Sequence, residues 1–136
     1  MGAVKIMDVL TAGGCGPMRL SNEEVWQWQQ RWREVYAKEL HAETGTWVHN
    51  EFDWHVFSFG KHRAKSGDAA WAEYRRLGAC SFLVLSASTR DTFGFSCNGK
   101  PPERLKAGID VLVAPPSMEW TMSFNHEDYG PYFAVP

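Results

Sequence analysis

Two short constellations in this 136-residue chain combine side chains that could do chemistry. His126-Glu127-Asp128 sets an imidazole and two carboxylates on one polar segment, and Asp53 with His55 offers a second acid–base pair. If His55, His126 and Glu127 converged, they would make a small metal-dependent or hydrolytic centre, the imidazoles moving protons and the carboxylate orienting them. Neither segment is complete alone. A metal site needs several converging ligands and an outer layer of groups to orient them, whereas adjacent residues of an extended loop point apart. His126-Glu127 also lacks the second histidine that the helical zinc-protease motif places after its glutamate. The simpler role for His126 or Glu127 is a hydrogen bond to backbone that fixes a loop at the end of a sheet. We read no metal, no cofactor and no catalytic residue from the sequence.

Nucleophiles are no better placed. Ser58, Ser81 and Ser96 lie in apolar, strand-like runs without a Gly-x-Ser-x-Gly elbow, where a hydroxyl is ordinarily a satisfied core group. Cys80 and Cys97 have no histidine or cation beside them in sequence to hold a thiolate, and read as small core residues. With Cys15 they make an odd set that includes no Cys-x-x-Cys clip, which points to a reducing, cytoplasmic compartment. The glycines of residues 11–17 are not followed by Gly-Lys-Ser or Gly-Lys-Thr, so they form a turn or a mobile arm rather than a phosphate loop. No signal peptide and no apolar run of bilayer length are visible, and no membrane role is expected.

Fourteen Lys and Arg against sixteen Asp and Glu leave a net charge of −2, unevenly spread. Residues 20–58 carry three basic and seven acidic groups, residues 59–106 nine basic and four acidic, and residues 107–136 four acidic and none basic. A basic middle between acidic ends lets the segments attract each other in the fold. Alternatively the acidic ends converge on one face and meet a basic partner. The basic loop Gly60-Lys61-His62-Arg63-Ala64-Lys65-Ser66-Gly67 reads as a solvated connection, or as a docking patch for an acidic group. Because the basic residues 61–76 are interleaved with the core aromatics of a helix, direct nucleic-acid binding is not expected.

The elements that must position these groups are easier to read. Ser21 and Glu24 have capping-box spacing, with Leu20 and Val25 as a staple, and Val25, Trp28, Trp32, Val35, Tyr36 and Leu40 then repeat at helical period. A second helix starts near Asp68, with Ala70, Trp71, Tyr74 and Leu77 as its apolar stripe and Gly78 as its stop. Residues 52–59 load both faces of an extended segment with bulk and read as a buried, bent strand or short hairpin. Residues 80–86 read as a central strand, residues 92–97 as its partner, and residues 109–114, 120–124 and 132–135 as further strands. A short helical turn is expected at residues 102–106. Together these predict a single α+β domain over residues 20–136, preceded by a flexible or loosely packed N-terminal arm, residues 1–19. Its two main helices pack on one face of a largely antiparallel sheet of about five or six strands.

Two segments carry a resemblance. Phe52-Asp53-Trp54-His55-Val56-Phe57-Ser58 and Trp120-Thr121-Met122-Ser123-Phe124-Asn125-His126-Glu127-Asp128-Tyr129-Gly130-Pro131-Tyr132-Phe133 resemble the paired signatures of a family of short bacterial proteins catalogued only as a domain of unknown function. The likeness runs from the first helix to the end of the chain. It implies no enzymatic activity and no catalytic residue; small proteins of this kind often serve as immunity proteins that bind and block a toxin made by the same cell. The partner would then be a cognate protein toxin. Glu51, Asp53, Trp54, Glu127, Asp128 and Tyr129 would form the binding face, provided that Trp54 or Tyr129 is exposed. Two other classes stay open: an enzyme in which His55, His126 and Glu127 meet in a cleft, and a homodimeric scaffold whose exposed tryptophans bury against a second copy.

Overall fold

A computed structural model describes residues 2–105, 110–126 and 130–136. Helix α1 (Gly2–Ala12) opens the chain and leads into a two-residue strand, β1 (Met18–Arg19). Ser21 then starts α2 (Asn22–Tyr36): its hydroxyl accepts the Glu24 N–H at 3.2 Å while the Glu24 carboxylate accepts the Ser21 N–H at 3.0 Å. This reciprocal cap satisfies two of the N–H groups that a helix start leaves unpaired. After a step at Ala37 the chain continues as α3 (Lys38–Thr44), which Gly45 ends in the left-handed conformation at φ 77°. A single helical turn, α4 (His55–Ser58), a short strand β2 (Lys65–Ser66) and helix α5 (Gly67–Arg75) follow. Strands β3 (Cys80–Ser86), β4 (Gly94–Gly99), β5 (Val111–Ala114), β6 (Thr121–Phe124) and β7 (Tyr132–Ala134) complete the chain, with a 3-10 turn at Glu103–Leu105.

All seven strands pair antiparallel in the order β1-β4-β3-β5-β6-β7-β2, so the class is α+β. The sheet is wider than expected because its two edges, β1 and β2, are two-residue strands with no hydrophobic pattern to announce them. Side chains alternate across it. Phe82, Val84, Val111, Val113, Met122 and Phe124 enter one core with Ile6 and Leu10 of α1 and Ala70 and Tyr74 of α5. Leu83, Leu85, Leu112 and Ala114 enter a second core with Trp32 and Tyr36 of α2 and Val56 and Phe57 of α4. The two main helices therefore lie on opposite faces of the sheet rather than sharing one. The cause is the central strand itself: the continuous apolar run of β3 needs cover on both sides.

Two further expectations are corrected. Residues 1–19 are not a loose arm, since Ile6 and Leu10 of α1 are fully buried and the Cys15 N–H returns to the Leu10 carbonyl at 3.0 Å. Ala3, Ile6 and Leu10 form a narrow helical stripe, which a helix of 11 residues followed by glycines scarcely advertises. Residues 52–59 are not a strand. Asn50 and Glu51 take positive φ, 53° and 80°, making a tight turn across which His49 and Phe52 pair, and Phe52 also bridges to Ser88. The chain then coils into α4, dropping Trp54, Val56 and Phe57 into the second core. Among the described residues no helix is long and apolar enough to cross a membrane.

Candidate functional site

The residues with the most chemistry gather at one end of the sheet, where three separate segments meet. Pairing of Val111 with Phe124 sets Asp110, just before β5, beside the residues that follow β6. The tight turn at residues 49–52 and the helix α4 close over that end.

Asp110 is the organising group. One carboxylate oxygen accepts the Trp54 indole N–H at 2.8 Å and the His126 backbone N–H at 3.2 Å. His126 Nδ1 lies 2.9 Å and 3.1 Å from the two oxygens. A carboxylate can only accept, so Nδ1 of the neutral ring carries the proton and Nε2 keeps its lone pair. The His126 side chain is 45% exposed and that of Asp110 12%. The pair is thus an oriented imidazole on a half-sunken carboxylate, two of the three parts of a nucleophile-activating relay. Among the described residues no hydroxyl or thiol bonds to Nε2.

Around this pair the rings form a shelf. Phe52 stacks on Trp54 at 5.5 Å between centroids and meets His126 at 5.1 Å and His55 at 5.9 Å. His55 in turn stacks on Phe59 at 5.0 Å, and His49 stands edge-on to Phe59 at 4.9 Å. Phe59 is 53% exposed, His49 is exposed and Phe52 is half-buried, while Trp54 and His55 are buried beneath them. Aromatic pairs at these separations add to the stiffness of the surface as well as to its burial.

The shelf stands on a buried ion pair. Arg33 of α2 donates from Nε to Asp53 at 2.8 Å and from Nη2 to the other carboxylate oxygen at 3.3 Å. The Asp53 side chain is 1% exposed and its backbone N–H reaches the Ala87 carbonyl at 2.9 Å. Burial pushes the Asp53 carboxyl above its ordinary value, with the Arg33 guanidinium pulling in the opposite direction. Glu51 carries positive φ, and its side chain, 28% exposed, forms an ion pair with Arg90, 3.1 Å from its Nε. Thr89 N–H bonds to the Glu51 carbonyl at 3.1 Å, so the turn is pinned to the loop between β3 and β4.

Of the six residues expected to bind a partner, Asp53 and Trp54 are buried structural groups, because the one engages Arg33 and the other Asp110. Glu51 is at the rim. Glu127, Asp128 and Tyr129 lie outside the described residues. His55 and His126 share the Phe52 and Trp54 rings, but His55 Nδ1 meets the Ser58 hydroxyl while His126 Nδ1 meets Asp110. Glu127, the third member of the expected cluster, is outside the described residues, and within them no group of three His, Cys, Asp or Glu could hold a metal ion. Asp110 was missed by sequence reasoning: nothing marks an aspartate before an apolar strand until strand register brings His126 to it. The thiols are no alternative, because burial pushes Cys97 up to about 12 and raises Cys15 and Cys80 as well. No family model, curated protein or solved structure matches the chain.

Proposed function

We propose that this chain is a non-enzymatic binding protein of the immunity kind, working in the cytoplasm, that neutralises a cognate bacterial toxin by covering it with the shelf of His49, Phe52, Phe59 and His126. The observation that carries this reading is Phe59, 53% exposed yet held in a ring stack on buried His55. Exposed aromatics on a rigid base supply most of the binding energy in protein interfaces at little entropic cost. The base is rigid here because Arg33, Asp53 and Asp110 are all tied down. Glu51 adds a carboxylate at the rim.

The test is isolation of the toxin complex from the source cells, followed by titration of the purified toxin with variants. Phe59→Ala and His49→Ala are expected to weaken binding by at least about tenfold each, the loss typical of a hot-spot side chain. Trp26→Ala, on the exposed side of α2, is expected to leave binding unchanged. A toxin that binds all three variants equally, or a chain recovered only as a homodimer, refutes the reading.

A second reading is favoured by one specific observation, the Asp110 carboxylate 2.9 Å from Nδ1 of the half-exposed His126 ring. In it His126 is the general base of a small hydrolase, taking a proton from water or a substrate hydroxyl while Asp110 steadies the imidazolium. Turnover of an ester substrate that disappears in His126→Gln and falls steeply in Asp110→Asn would replace the binding reading with this one.

A further inference from the structure

A cleft of about 920 Å³ opens at the β2 edge of the sheet, lined in part by the basic loop at residues 60–65 and by none of the rings of the aromatic shelf. Its origin is local. β2 pairs with β7 over two residues only, Lys65 with Phe133 and Ser66 with Tyr132. Before Lys65 the chain turns off at Gly60, φ 69°, so residues 60–64 and the end of β7 diverge and leave a gap between them. His62 spans it: its Nε2 lies 2.8 Å from the Val135 carbonyl, and its ring is packed edge-on against Tyr36 at 5.1 Å and Phe57 at 6.0 Å. A neutral His62 donating from Nε2 keeps an acceptor at Nδ1.

One wall is basic and the other apolar. On the basic wall Lys61 pairs with Glu43 and Lys65 with Glu73, the latter at 2.8 Å. Glu73 also meets Arg76 at 3.2 Å, so its charge within the cleft is already answered, and the Lys65 contact holds its carboxyl below the usual value. Glu39 closes the far rim. Arg63 is exposed and, among the described residues, has no ion-pair or hydrogen-bond partner. The opposite wall is Phe133, Ala134 and Val135, with Val135 58% exposed.

We propose that this cleft binds a small phosphomonoester with an apolar body, Arg63 gripping the phosphate and the β7 wall taking the body. The volume is that of a small-molecule site, which typically sets a few polar anchors against an apolar lining. A guanidinium offers the planar two-pronged donor that a phosphate accepts best, and Arg63 is the cation of this loop whose charge no carboxylate among the described residues answers. The basic run at residues 60–67 is thereby a recognition loop, with its lysines held in place by carboxylates and its arginine left open.

The test uses the whole chain, isotope-labelled, titrated with inorganic phosphate and with phenyl phosphate while the backbone resonances of residues 61–65 and 133–135 are followed. Phenyl phosphate is expected to shift both sets and to bind at least about fivefold tighter than inorganic phosphate, the gain for an aromatic ring leaving water in part. Arg63→Ala is expected to weaken both ligands by about tenfold or more, as removal of a charge-assisted contact does. Val135→Ser is expected to weaken phenyl phosphate and spare inorganic phosphate. Both side chains are exposed, so neither variant threatens the fold. Equal affinity for the two ligands, shifts confined to the loop, unchanged binding by Arg63→Ala, or no shifts at millimolar phenyl phosphate would each overturn the proposal.

Discussion

Replacing Arg33 with Met would strand the Asp53 carboxylate in the core beneath the shelf. Its side chain is 1% exposed and both of its oxygens face the guanidinium, so water cannot take over what Arg33 supplied. Breaking a buried pair from one side typically costs about 3–5 kcal/mol, a large share of the stability of a domain this size. The pH dependence sharpens the expectation. With Arg33 gone, only burial acts on Asp53, and burial raises its folded value above the unfolded one. The folded variant then holds a proton that the unfolded chain has released, so stability is fullest below the unfolded value and drains away as pH rises through the folded one. Urea unfolding followed by tryptophan fluorescence should therefore show Arg33→Met losing about 3–5 kcal/mol at pH 7 and recovering part of it at pH 5. Arg33→Met combined with Asp53→Leu removes both charges and should return to within about 1 kcal/mol of the parent. A single variant that loses less than about 1 kcal/mol at pH 7, with no recovery in acid, would refute the claim that the pair holds this corner together.

Three further outcomes are expected. Gly130→Ala should destabilise by about 1–3 kcal/mol in urea unfolding, because a Cβ there would run into Asn125 Nδ2 and stand 2.6 Å from its Cγ. Ser21→Ala breaks the reciprocal cap with Glu24 and should cost about 1 kcal/mol, with the loss of amide protection concentrated in the first turn of α2. In alkali, burial holds the Cys97 thiol protonated up to about 12 against an ordinary 9.0, and Tyr36 and Tyr74 are also raised. The unfolded chain ionises first, so stability should fall steadily as pH climbs from 9 towards 12, and less steeply in Cys97→Ala.

How much was legible followed from the range of the interactions involved. The Ser21–Glu24 cap and the β3 run lie within a few residues of sequence, and both are found where the pattern puts them. Of the expected stripe Val25, Trp32 and Tyr36 are buried in α2, whereas Trp28 and Val35 are half-buried, Leu40 falls in α3 beyond the step at Ala37, and buried Gln29 was not foreseen. The 52–59 segment defeated its own pattern: bulk on both faces suggested a buried, bent strand or short hairpin, but left-handed Asn50 and Glu51 and the demand of Asp53 for Arg33 turned it into a helical turn. Asp110 was invisible because its partners come from 56 and 16 residues away and depend on strand register. Trp54 illustrates the general difficulty, since an aromatic on a surface and one capping a buried carboxylate look alike in sequence.

The brevity of the outermost strands sets how this sheet behaves among its neighbours in a crowded solution. β1 and β2 are two residues long, exposed, and bring Arg19 and Lys65 to the two rims. Short, charged rims give an incoming strand almost no open backbone on which to zip, so the sheet does not propagate from one molecule to the next. Loss of either rim would bare the longer strand beside it, β4 or β7, and give up that protection.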